Sequence, residues 1–166
     1  MDTGVNDNGG MKELSRPIEF IVPIAGEIEK ATLHAIGSDH TDIIYGIRFS
    51  NGYADYFHFN EQGFHGELPG SRHYLEAILP DLQAIQFYEP GKLLYNFRYR
   101  TKVEVNVWIQ ESHIDNQPVY AVYYLGACHF WMHYDTDRWK VILPATIESV
   151  DKELVRKVEL LLNKLT

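Results

Sequence analysis

Eight histidines and one cysteine hold most of the reactive potential of this 166-residue chain. Histidine changes charge near neutral pH, and its neutral ring is a common metal ligand. Two of the eight occupy matching places. Residues 45–69 read YGIRFSNGYADYFHFNEQGFHGELP, and residues 120–144 read YAVYYLGACHFWMHYDTDRWKVILP. Laid over each other at a fixed offset of 75, they pair Tyr45 with Tyr120, His58 with His133, Leu68 with Leu143 and Pro69 with Pro144. His58 and His133 are therefore the first candidates for a site. On a strand, alternate side chains share a face, which places Tyr56 beside His58 and Trp131 beside His133. A nearby acid such as Asp135 completes the set.

His129 and His133 raise the question of a metal. Four residues apart on a helix, two histidines share one face. On a strand the same spacing separates them by about 13 Å, too far for one ion with bonds near 2 Å. The segment ACHFWMHY reads as a strand, so the expectation is no metal and no cofactor. There is no HExxH run, paired-cysteine motif, calcium loop, GxSxG elbow, phosphate loop or GxGxxG fingerprint. Cys128 lies among aromatic residues in the same segment, where a small buried thiol is the ordinary outcome. Asp135-Thr136-Asp137 reads as a turn, a setting that favours Asp for backbone reasons.

Strands must position these residues. DIIYGIRF and YADYFHF alternate apolar and polar positions on either side of Ser50-Asn51-Gly52, and Asn-Gly suits the positive φ of a tight hairpin. IEFIVPI (18–24) and IEKATLHAI (28–36) read as earlier strands, with Pro23 marking an edge or a strand end. FHGELPGS reads as a glycine-rich loop. A helix follows from Ser71, interrupted by Pro80. The second half repeats the plan with LLYNFRYR, KVEVNVWI, VYAVYYL, ACHFWMHY and a short WKVIL. A last helix carries Val150, Leu154, Val158, Leu161, Leu162 and Leu165 as its apolar stripe, with Ser149 as its cap. ATLHAI aligns with VNVWIQ if one extra residue is allowed. The expectation is an α+β fold, mostly antiparallel, built from two tandem ββββα halves (17–90 and 91–166) related by a pseudo-two-fold, with helices packed on the sheet. Residues 1–16 read as a disordered tail, and 17–166 as one domain.

Composition narrows the partners. The chain carries 15 basic and 23 acidic residues, a net charge of −8, with no dense cluster of Lys and Arg. That argues against nucleic acid and against an anionic membrane surface. The opening MDTGVNDNGGMKEL lacks the basic start and apolar run of a signal peptide, and one cysteine allows no internal disulfide. A cytoplasmic protein is expected. Aromatics reach 13% of the chain, with 11 Tyr and 3 Trp. Tyr123, His129, Trp131 and His133, with Ile44, Arg48, Tyr56 and His58, outline an aromatic sheet surface, to which Tyr95, Phe97, Tyr99 and Trp108 are added. Such a surface suits protein binding or self-association, so a non-catalytic interaction module is the first functional expectation. The alternatives are an enzyme or small-ligand protein using His58 and His133, and an acidic inhibitor of a basic target.

Overall fold

The structure, a computed structural model, describes residues 11–166. Its contacts divide it into two compact units, one up to Leu79 and one from Pro80 onward. The boundary falls within a helix, upstream of the junction at residue 90 that separates the sequence halves.

The first unit holds a five-stranded antiparallel meander of β1 (Met11–Ile24), β2 (Glu27–Asp39), β3 (Asp42–Phe49), β4 (Ala54–Asn60) and β5 (Gly63–Gly66). Residues 11–16 of the expected tail belong to β1; residues 1–10 lie outside the described residues. The edge strand β1 accommodates Pro17 through a register shift between Glu13 and Ile18, as a residue without an N–H requires. The Asn51-Gly52 hairpin forms as its sequence demands. Gly52 takes a φ of 99°, and the Tyr53 N–H donates to Asn51 Oδ1 at 3.0 Å. One face of β3 and β4 buries Tyr45, Ile47, Phe49 and Phe57. Helix α1 (Ser71–Ile85) begins on this face, with Tyr74 stacked on Tyr53 at 3.8 Å between centroids. It runs unbroken through Pro80.

The second unit holds the end of α1 and a second meander: β6 (Leu94–Arg100), β7 (Glu104–Ile114), β8 (Gln117–Tyr124), β9 (Ala127–Asp135) and β10 (Arg138–Ile142). Each half thus has five strands before its helix: the four of the repeated plan and a short fifth, which the sequence shows in the second half as WKVIL. The added strand in the first half is β5, taken from the supposed glycine-rich loop. Helix α2 (Lys152–Leu165) lays Leu154, Val158 and Leu162 on a core of Val105, Val107, Ile109, Val122, Phe130 and Met132. Its cap is Asp151 and not Ser149. Asp151 Oδ1 accepts from the N–H groups of Glu153 at 3.0 Å and Leu154 at 3.1 Å, so the helix starts two residues later than Ser149 would set it.

The repeat extends to strand register. Tyr45 faces Phe57 and Tyr120 faces Met132; His58 faces His65 and His133 faces Lys140; Asn60 faces Gly63 and Asp135 faces Arg138. Every one of these pairs keeps the offset of 75. The alignment of ATLHAI on VNVWIQ does not follow the pairing. Ala35 faces Gly46 as Gln110 faces Ala121, which again gives 75. Before the bulge at His34, Leu33 faces Ile47 as Ile109 faces Val122, so the offset there becomes 76 and nowhere takes the 74 of that alignment.

Candidate functional site

His58 stands on β4 with most of its ring covered, and carboxylates meet both of its nitrogens. Nδ1 lies 3.0 Å from Asp42 Oδ2, and Nε2 meets Glu67 Oε2. The ring is 12% exposed and the Asp42 side chain 16%. Burial alone would hold the ring neutral, but the hydrogen bonds to Glu67 and Asp42 outweigh it, and the His58 pKa is raised. Asp42 is correspondingly lowered, by its bonds from Asn60 and then His58.

Three strands, β3, β4 and β5, converge to build this arrangement. Asp42 is the first residue of β3, directly after the β2–β3 turn. Its second oxygen, Oδ1, accepts from Asn60 Nδ2 and from Thr41 Oγ1, each at 3.0 Å, which leaves Oδ2 for the histidine. His65 sits on edge strand β5 directly across from His58, the two rings 5.2 Å apart and near parallel at 20°. Glu67 follows β5 and is held through its backbone by buried Asp55. Asp55 Oδ1 accepts from the N–H groups of Tyr56 at 2.7 Å and Glu67 at 3.2 Å. Asp55 Oδ2 accepts from the Tyr53 hydroxyl at 2.8 Å and the Leu68 N–H at 3.4 Å. Gly66 lets β5 close on this carboxylate, since a Cβ there would stand 2.9 Å from Asp55 Oδ2. One donor atom each from Asp42, His58 and His65 lies within 4.8 Å of the others.

The other expected site residues are dispersed. Tyr56 neighbours His58 on its face, 41% exposed, in a T-shaped contact with the His34 ring at 6.3 Å between centroids. His133 lies on β9 in the second unit, where Nδ1 is 3.5 Å from the Pro118 carbonyl. Trp131 is half-buried opposite Ala121. Asp135 pairs with Lys140, whose hydrogen bond holds its carboxyl below the usual range. His129 does not align with Trp131 and His133, because the bulge between Val122 and Tyr123 breaks the alternation. It stacks on Tyr124 at 3.5 Å between centroids and bonds its carbonyl, and burial lowers its pKa.

The broad aromatic surface also divides. Phe97 and Tyr99 belong to the core under α2. Trp108, one register position out of phase with them, points to the opposite face and is buried, its Nε1 donating to Asp81 Oδ1 at 2.8 Å. Asn106 Nδ2 donates to the same oxygen at 2.9 Å. Burial pushes the Asp81 carboxyl up to about 6, while bonds from Trp108 and Asn106 and the charge of Arg98 oppose the rise.

No protein family, curated protein or solved structure matches this chain. No helix of the described residues is long and apolar enough to cross a membrane.

Asp42, His65 and Glu67 were not legible as partners of His58. One signal pointed to β5: the repeat sets Phe64 against Trp139, which begins the WKVIL strand read in the second half.

Proposed function

We propose that this chain is a non-catalytic binding protein whose first unit carries a small-ligand site centred on His58, with the second unit keeping the scaffold and not the site. The observation that carries this reading is the contrast between repeats. At the positions equivalent to Asp42, His58, His65 and Glu67, the second half has Gln117, His133, Lys140 and Ile142. The meander therefore does not need the cluster in order to fold, and a largely covered histidine held between two carboxylates is a costly feature to keep for stability alone.

Nucleophilic catalysis finds no support in the arrangement. Both nitrogens of His58 face carboxylates, so neither activates a hydroxyl or thiol. The Cys128 thiol is pushed up to about 11 by burial, which suppresses the reactive thiolate. The deciding experiment follows the ring resonances of His58 and His65 by NMR while small anions, metal ions and a fragment library are added. Saturable shifts that vanish in His58→Gln support the reading. Rings that respond to nothing in the collection refute it. A second reading, contact with a protein partner or another copy, draws on the exposed Tyr56 ring beside the cluster. Light scattering that stays monomeric at high concentration and pull-downs without a Tyr56-dependent partner count against it.

A further inference from the structure

The geometry points to Asp42, His58 and His65 as a mononuclear site for a divalent transition-metal ion of the zinc type, with Glu67 as the carboxylate that orients the central ring. This inference rests on reading the His58 cluster as the binding centre and names its ligand.

The distances come first. A tetrahedral zinc ion with bonds of about 2.0–2.1 Å needs its donors roughly 3.3 Å apart. His58 Nδ1 and Asp42 Oδ2 are 3.0 Å apart. One ring nitrogen of His65 lies within 4.8 Å of a donor atom of each of these two residues. His65 belongs to a four-residue edge strand and is exposed, and the site requires its ring to turn toward the centre. Its ring already lies parallel to that of His58, on the same side of adjacent strands.

The surroundings come second. Metal-binding histidines commonly donate their other ring N–H to a carboxylate, which fixes the tautomer and the ring plane. Glu67 stands in that relation to His58: it takes Nε2 and leaves Nδ1 facing Asp42. Glu67 is itself anchored, because Asp55 holds its backbone N–H. Asp42 is supported in the same manner, with Asn60 and Thr41 on Oδ1 and Oδ2 left toward the centre. Two shells of hydrogen bonds thus aim the two least exposed donors, His58 and Asp42, at one point.

The donor types come third. Two imidazoles and one carboxylate suit zinc and its first-row neighbours, whereas magnesium and calcium prefer oxygen alone. Asp42 and Glu67 supply negative charge for a divalent cation. The ion takes the place of the Nδ1 proton, which passes to buffer. Three protein donors leave a fourth position for water or for an external ligand. The second repeat offers Gln117 and Lys140 at the equivalent places, and Lys140 brings a positive charge, so the site is confined to the first unit.

The test uses the full chain without a histidine tag, titrated with zinc chloride by calorimetry, with imidazole NMR in parallel. The expected result is one saturable ion per chain, with the His58 and His65 rings shifting together and magnesium giving no effect. His65→Gln should weaken zinc binding about tenfold or more, and Glu67→Gln about tenfold. Neither substitution should change the melting temperature of the metal-free protein by more than a few degrees. Zinc that leaves both rings unmoved, or that binds His65→Gln as tightly as the parent, overturns the metal assignment. If zinc fails but fragments or anions still move the His58 ring, the binding centre survives without its metal. If nothing moves that ring, both fall.

Discussion

At Gly66 there is no room for a side chain. A Cβ would stand 2.8 Å from Ser71 Oγ and 2.9 Å from Asp55 Oδ2. Gly66→Ala should therefore destabilise the first unit by about 1–3 kcal/mol, as overpacking does, and should also loosen Glu67 from His58. Urea denaturation measures the first effect, and the His58 ring resonances report the second. A variant as stable as the parent would mean that β5 has room to retreat. Asp81 supports a prediction of a different kind. Its folded pKa is raised from the ordinary 3.8 to about 6 by burial. A raised folded pKa means that the group's contribution to stability is fully present below the ordinary pKa and is lost as pH rises through the folded one. The ionised, buried carboxylate is thus a cost at neutral pH. Asp81→Asn keeps an acceptor oxygen for Trp108 and Asn106 but cannot ionise. The variant should match the parent near about pH 4 and exceed it by on the order of 2 kcal/mol near about pH 7. A stability difference that stays flat across that window, measured by urea denaturation at each pH, would show that Asp81 does not titrate there.

Helix α2 illustrates what an element adds to its residues. Asp151 accepts the two backbone N–H groups at the helix start, and its Oδ2 takes the Tyr99 hydroxyl at 2.9 Å. Asp151→Ala should cost about 1–2 kcal/mol, while Ser149→Ala should stay within about 0.5 kcal/mol. Denaturant midpoints of the two variants decide it, and equal losses would return the cap to Ser149. The sequence favours Ser149 because it precedes the apolar stripe; only the observed start at Lys152 moves the cap. A similar limit governs the candidate site. The alternation of Tyr45 with Ile47 and of Phe57 with Phe59, broken by Asn51-Gly52, was readable because strand period and turn chemistry are local. His58 was readable because the repeat singles it out. Asp42 is 16 residues away and Glu67 is 9, and they reach the ring only through the pairing of β3, β4 and β5. His65 lay in a stretch whose glycines suggest a loop, although its repeat partner lies in a segment that reads plainly as a strand. His129 was misplaced for the converse reason: a bulge leaves no mark in composition and reverses the face of the residue it displaces.

Over the whole molecule, one meander is written twice and furnished differently. The shared offset of 75 holds through β3–β5 and β8–β10 except at the bulge beside Tyr123, so most backbone positions in one unit have direct equivalents in the other. Asp42 and Gln117 each open their strand, facing Asp39 and Ile114. His65 and Lys140 each face the repeated histidine. If side chains alone separate a binding unit from a scaffold unit, the site should be transferable. Gln117→Asp with Lys140→His would place an aspartate, the resident His133 and a second histidine at the register of the first cluster. Zinc stoichiometry should rise from one to two per chain. The new site should be the weaker, by about 10- to 100-fold, because Ile142 stands where Glu67 orients the ring. Adding Ile142→Glu should recover part of that loss. Calorimetry separates the two binding events. A double variant that still takes a single ion, while its circular dichroism matches the parent, would mean that the common register does not bring these side chains to a common geometry. The repeat would then explain the fold without explaining the site.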